Sequence, residues 1–245
     1  MRVIRCHVDA DLAPGRALRL PEEKSLHLLR VLRLREGDPV TLFNGDGRDY
    51  AARITGMEKK AVELTVDQAN ARDNESPLAI ILLQGVARGD KMDLILQKAT
   101  ELGVRAIQPV MTERTEVKLD AERAERRLFH WRGVVAAACE QSGRTRVPSV
   151  AEPQPLHAAV AALPVDARRL ILDPHRGRAL KALDIDVAAP VALVIGPEGG
   201  LGERDHRMLE KAGFEGVQLG PRVLRTETAG LAVLAALQAL YGDWA

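Results

Sequence analysis

The sequence predicts an α/β fold with a largely parallel sheet, preceded by a small β-rich barrel or sheet. Three observations carry that reading. Over about residues 1–70, short apolar runs alternate with turn residues. The stretch ANARDNESP, Ala69–Pro77, is polar, lacks periodicity and reads as a linker. Beyond it, continuous apolar runs alternate with helical patterns, as expected when successive strands join one sheet through helical crossovers. The expected domains are therefore about 1–70 and 71–245.

In the N-terminal part, Val3–Val8 is a candidate strand. Pro21–Leu34 contains LHLLRVLRL, whose leucines fall near helical spacing and predict a short helix. Val40–Phe43, the turn Asn44-Gly45-Asp46-Gly47 and Tyr50–Thr55 together form a hairpin signal, because glycine permits the positive φ that tight hairpin turns require. Ala61–Val66 follows the Lys59-Lys60 turn as a further strand.

After the linker, Leu78–Leu83 is a continuous apolar run of the kind that forms a parallel strand buried on both faces. Lys91–Leu102 is helical, with Met92, Ile95, Leu96 and Ala99 on one face. Lys98 and Glu101 are spaced to pair on that helix. Arg105–Val110 is a strand and Ala121–Cys139 a helix bearing Arg123, Arg126, Arg127 and Arg132. Arg169–Leu172 and Val191–Ile195 are strands, Glu203–Ala212 a helix, Val217–Leu219 a strand and Thr226–Leu240 a helix.

Composition narrows the function classes. Of the 245 residues, 46% are apolar but only 3% aromatic, so the core is built from Leu, Val, Ile and Ala. No apolar run approaches the ~20 residues that span a bilayer. The start, MRVIRCHVDADL, meets charge too early for a signal-peptide apolar region, so a cytoplasmic protein without a membrane partner is expected. Cys6 and Cys139 have neither metal nor redox spacing and are expected to be buried free thiols. The six histidines form no close HxxxH pair, so no metal site is expected. A net charge of +1 neither supports nor excludes an RNA partner; local basic patches must decide.

Two loops hold the candidate chemistry. VALVIGPEGGLGERD, Val191–Asp205, is a buried strand running into a glycine-dense turn and a helix start. Its spacing is not GxGxxG and no GK[ST] follows, so it is neither a dinucleotide fingerprint nor a Walker loop. LGPRVLRTETAG, Leu219–Gly230, is the second strand-to-helix junction. Thr226 as N-cap and Glu227 against the positive helix end account for themselves. Arg222, Arg225 and Thr228 are left over, and an arginine there opposes the helix dipole.

GPEGG and LRTETA, in that order and spacing, resemble the SPOUT superfamily of S-adenosylmethionine-dependent RNA methyltransferases, and more narrowly the 16S rRNA (uracil-N3) methyltransferase family. HLLRVLRLREGD (His27–Asp38) and FNGDG (Phe43–Gly47) resemble that family's PUA-like N-terminal domain. LQKATELGV (Leu96–Val104) and EQSGR (Glu140–Arg144) resemble further motifs of its catalytic domain. Leu201 departs from the pattern, standing where an aromatic is commoner.

The resemblance implies a C-terminal trefoil knot, a homodimer and N3-methylation of a uridine in 16S rRNA, free or in the assembled small ribosomal subunit. It places Gly196, Pro197, Glu198, Gly199, Gly220 and Leu224 around S-adenosylmethionine, with Leu172, Leu219 and Ala229 packed on it. Arg225, Thr226 and Glu227 face the methyl and uracil end, Arg225 and Glu227 as catalytic residues. Arg144 is assigned to the uracil oxygen or a flanking phosphate, with the contributing subunit left open. His27, Arg30, Arg33 and Arg35 are assigned to RNA phosphates. Two alternatives remain: a non-catalytic RNA-binding ribosome-assembly factor, and a nicotinamide-dependent oxidoreductase, which the failed fingerprint disfavours.

Overall fold

The computed structural model describes residues 4–118, 120–173 and 177–244. The chain divides into two compact units: the described residues of Met1–Asn74 with Cys139–Val147, and those of Glu75–Ala138 with Pro148–Ala245.

The first unit is a five-stranded sheet in the order β1-β3-β4-β5-β2. Its strands are β1 (Arg5–His7), β2 (Ala17–Arg19), β3 (Pro39–Phe43), β4 (Arg48–Met57) and β5 (Val62–Ala71). β3 and β4 pair antiparallel across the NGDG turn, where Gly45 and Gly47 both take φ of 93°. β5 extends to Ala71, so the stretch read as linker begins in the sheet: Ala69, Asn70 and Ala71 pair with β4. Backbone pairing there overrides the polar composition that suggested a loop. β2 carries no hydrophobic alternation long enough to announce it, and Val3 lies outside the described residues. The short helix expected within Pro21–Leu34 is present as α1 (Glu22–Leu26), which runs into a π-helical turn, His27–Val31. Behind that turn, Arg33 holds φ of 54°, a left-handed conformation unusual for a residue with a side chain.

Alternate residues of β3, β4 and β5 enter one core, among them Leu42, Ile54, Val62 and Leu64. At its rim the Arg5 guanidinium lies 4.7 Å from the Phe43 ring centroid and 2.6 Å from Asp49. Both cysteines are buried free thiols, and burial pushes that of Cys6 up to about 12.

The second unit is an all-parallel sheet ordered β11-β13-β10-β12-β6-β7-β8, with the short β9 pairing to β7. It comprises β6 (Ile80–Gly85), β7 (Ala106–Met111), β8 (Ser149–Val150), β9 (Gln154–Pro155), β10 (Arg168–Leu172), β11 (Arg178–Ala179), β12 (Val191–Ile195) and β13 (Glu215–Gln218). The helices are α2 (Asp90–Glu101), α3 (Ala121–Ser142), α4 (Leu156–Ala161), α5 (Glu203–Lys211) and α6 (Thr226–Tyr241). Every residue of β12 is buried, which is why this strand reads as an unbroken apolar run. Strand order departs from chain order in one telling way: β12 lies between β6 and β10, with β13 on the far side of β10. The carboxyl ends of β10, β12 and β13 are thereby neighbours.

Gln238 anchors the far end of α6. Its Nε2 donates to the Leu102 carbonyl at 3.1 Å, and its Oε1 accepts from Ser76 Oγ at 2.6 Å. Lys98 pairs with Glu101 on α2 at 2.8 Å, as its spacing predicts.

Candidate active site

A cavity of about 580 Å³ opens where β10, β12 and β13 end. That is the place at which open α/β sheets bind ligands, outside the carboxyl ends of strands where the strand order reverses. Leu172 and Asp173 enter it from β10, and Ile195, Gly196, Pro197, Glu198, Gly200 and Leu201 from β12 and its turn. Leu219, Gly220, Arg222, Val223 and Leu224 line it from beyond β13. The first turn of α6 supplies Arg225, Thr226, Glu227 and Ala229.

The structure thus brings together the residues expected to surround a cofactor, with one exception. Gly199 is not among the lining residues; its carbonyl accepts from Arg114 Nη1 at 3.2 Å. Arg144 does not line the cavity either. It is buried in the first unit, where its backbone carbonyl accepts from Arg5 Nη2 at 3.1 Å. Its motif neighbour Glu140 accepts from the His7 N–H at 2.9 Å and from Lys24 Nζ at 2.5 Å. His27, Arg30, Arg33 and Arg35 are all exposed on the first unit.

Thr226 is not an N-cap. Arg225 occupies that position, with extended backbone and no side-chain cap, and its carbonyl accepts from the N–H groups of Thr228 and Ala229. The Thr226 hydroxyl instead donates to the Gly196 carbonyl at 2.6 Å, and its oxygen accepts from Gln84 Nε2 rather than from the helix N–H groups. The exposed Arg225 guanidinium makes no hydrogen bond or ion pair among the described residues.

Sequence reasoning missed several charged residues. Lys91, on the first turn of α2, lies 3.2 Å from Glu198 Oε1 and 4.0 Å from Glu227 Oε2, between the two loops. Burial raises the Glu198 pKa, but the Arg88 N–H and the Lys91 ammonium outweigh it and leave the carboxyl below its usual range. Asp173, almost fully buried at the end of β10, lies 3.8 Å from His206 Nδ1. By its sequence Lys91 is only a helix start, since nothing in its spacing shows a partner more than a hundred residues away. Among the described residues no group of His, Cys, Asp or Glu is arranged to hold a metal ion.

The glycine turn is clasped from outside. Asp205 Oδ2 accepts from the Gly202 and Glu113 N–H groups, each at 3.0 Å, and Glu113 Oε2 accepts from the Arg204 N–H at 3.1 Å. Glu113 packs so closely over Gly202 that a β-carbon there would displace its carboxylate and press on its Cβ. Glycine is favoured at this point by space, not by φ.

The RNA methyltransferase domain family matches residues 74–238, a span that contains the whole cavity. The chain belongs to this family. An RNA methyltransferase PUA domain also matches, over residues 20–67. A ribosomal RNA small subunit methyltransferase E from Neisseria gonorrhoeae, solved bound to S-adenosyl methionine, is 42% identical, with a TM-score of 0.95 and 100% of both chains covered. Ribosomal RNA small subunit methyltransferase E of Bacillus subtilis is 30% identical over 88% of this chain and 87% of its own length. That of Buchnera aphidicola subsp. Schizaphis graminum is 27% identical over 99% and 98%. The family recognised from GPEGG and LRTETA is therefore the family to which the chain belongs.

The clasped turn also touches the neighbouring strand. A β-carbon on Gly85 would lie 2.5 Å from both Cδ and N of Pro197, and neither atom can swing away. Gly85→Ala is expected to destabilise by about 2 kcal/mol, as overpacking does. For a chain of this length the melting temperature should fall by roughly 4–8 °C, which differential scanning calorimetry would read. An unchanged melting temperature would mean that the turn yields freely.

Proposed function

We propose that this protein is an S-adenosylmethionine-dependent methyltransferase that methylates N3 of a uridine in 16S rRNA. The observation that carries the reading is the cavity itself. Two glycine-bearing loops after β12 and β13, together with the first turn of α6, enclose one space in a chain of the RNA methyltransferase family. The Neisseria gonorrhoeae relative, similar over its whole length, is bound to that cofactor. The fit to S-adenosylmethionine also rests on chemistry: backbone groups of Gly196, Glu198 and Gly220 are accessible, Leu172, Leu219 and Leu224 offer apolar contact, and the carboxylates of Asp173, Glu198 and Glu227 suit a cationic ligand. When bound, the cofactor supplies a methyl group already activated as a sulfonium.

The residues of the chain then have to align the uracil and manage its N3 proton. We assign Glu227 to accept that proton: one carboxylate oxygen is buried without a hydrogen-bond partner among the described residues and lies 4.0 Å from Lys91 Nζ. We assign Arg225 to the negative charge that spreads onto the uracil oxygens. Its guanidinium lines the cavity and makes no hydrogen bond or ion pair among the described residues, which leaves its planar fork free to donate to that charge. Arg144 does not line the cavity of its own chain, so its contact to a flanking phosphate or uracil oxygen is proposed for the site of the other subunit. We further propose a trefoil knot around the second loop, a cytoplasmic homodimer, and the 16S rRNA or the assembled small subunit as partner. No described helix is long and apolar enough to cross a membrane.

The first unit is assigned to RNA binding. His27, Arg30, Arg33 and Arg35 are exposed around the π-helical turn, and none of the three arginines pairs with an acid among the described residues. The Arg123 and Arg126 side chains of α3 are instead paired, with Asp120 and Glu122, and Arg132 donates to the Val150 carbonyl. The basic face of that helix is correspondingly less available to phosphates.

Calorimetric titration with S-adenosylmethionine and with NAD tests the cofactor; binding of NAD alone would sink the proposal. In Arg225→Lys, which keeps the charge but loses the planar fork, single-turnover methylation should slow tenfold or more, about 1.4 kcal/mol of barrier. Cofactor affinity and melting temperature should be retained. A parental rate would remove Arg225 from the transition state. Charge reversal at Arg30 and Arg33 should weaken RNA binding and flatten its salt dependence, because fewer counterions are released. An unaltered salt slope would make the patch a solvated surface. Sedimentation should show a dimer near 53 kDa, twice the 26.7 kDa chain. A lone monomer at about ten micromolar, a concentration at which micromolar association would be evident, contradicts the dimer.

A further inference from the structure

β6 reads IILLQG: four apolar residues and then Gln84, which has no exposed surface at all. The amide nitrogen donates to the Gly85 carbonyl at 3.0 Å and to Thr226 Oγ1 at 3.0 Å. The Gly85 carbonyl can only accept, so the orientation of the amide is set. A hydroxyl that accepts from Gln84 has a single proton to give, and that proton goes to the Gly196 carbonyl at 2.6 Å. The resulting chain runs from β6 through the first turn of α6 to the end of β12. It fastens both loops of the cavity to one buried strand, yet Gln84 does not itself line the cavity.

The other end of the amide is unsatisfied. Gln84 Oε1 is buried and has no hydrogen-bond partner among the described residues. Gln238, equally buried, uses both ends of its amide, as a purely structural glutamine does. An orphaned buried acceptor costs stability, which the two donations of the same amide offset. A buried polar side chain whose bonds run to the two loops of a cavity is the pattern expected where geometry serves a site.

We infer that Gln84 is a positioning residue for cofactor binding, setting the distance between the turn after β12 and the start of α6 through the Thr226 hydroxyl. The inference rests on the S-adenosylmethionine reading above. It is tested with Gln84→Met, which keeps the volume and removes the orphan oxygen together with the donors. The melting temperature should stay within a few degrees of the parent's, because one buried orphan is removed as the Gly85 carbonyl loses its donor, while the Kd for S-adenosylmethionine rises tenfold or more. Thr226→Val should lose affinity comparably, and the double variant should lose no more than the worse single one, since both changes break one chain. A Kd within twofold of the parent's in Gln84→Met, fully additive losses, or a Gln84→Met protein that is unstable or does not fold would each overturn the inference. Titration of the parent separates the two readings. No binding by the parent overturns the cofactor assignment, whereas equal binding by parent and Gln84→Met overturns the positioning role alone.

Discussion

The parallel pairing of β10 with both β12 and β13 is the constraint on which the candidate site depends. In a parallel sheet all strands end on the same side, so three neighbouring strands present three neighbouring loops there. Asp173 N–H continues the ladder past the last strand residue to the Val217 carbonyl, carrying the backbone of β10 directly to the floor of the cavity. The loops after β12 and β13 carry Gly196, Gly200 and Gly220 at the cavity, which lets their backbone approach the space closely.

Holding the loops in place takes different interactions on the two sides. Outside, Glu113 and Asp205 exchange hydrogen bonds with backbone N–H groups across two segments distant in the chain. Inside, the hydroxyl of Thr226 reaches the end of β12, and the close approach of Gly85 to Pro197 leaves no room for displacement. Between them Lys91 stands near two carboxylates, one from each loop. An uncharged site would need none of this balance. A site that meets a cationic cofactor and an increasingly anionic base needs charges of both signs, kept apart by rigid backbone.

The two loops were legible before any coordinates because glycine and proline at strand ends have few other uses. GPEGG and LRTETA stand out against flanking apolar runs, and their boundaries are close: β12 spans Val191–Ile195 as expected, and α6 begins at Thr226. Gln84 was passed over because a single polar residue closing an apolar strand resembles an ordinary strand end. Lys91, Asp173 and His206 were passed over because their partners are set by strand order, which no local pattern encodes. Thr226 departs from the expected cap for the same reason: the amide of Gln84, brought in from another strand, donates to its hydroxyl oxygen.

The sequence by itself determined the classes of element and where most of them lie, because hydrophobic period and turn chemistry act over a few residues. It also determined, through two motifs, the family to which the chain belongs. Tertiary structure decided which ends meet. It placed β12 between β6 and β10, extended β5 into the apparent linker, and grouped Glu140 and Arg144 with the first unit. Those outcomes follow from burying strands against specific neighbours, a free energy that depends on residues far apart in the chain and leaves no trace in any window of it.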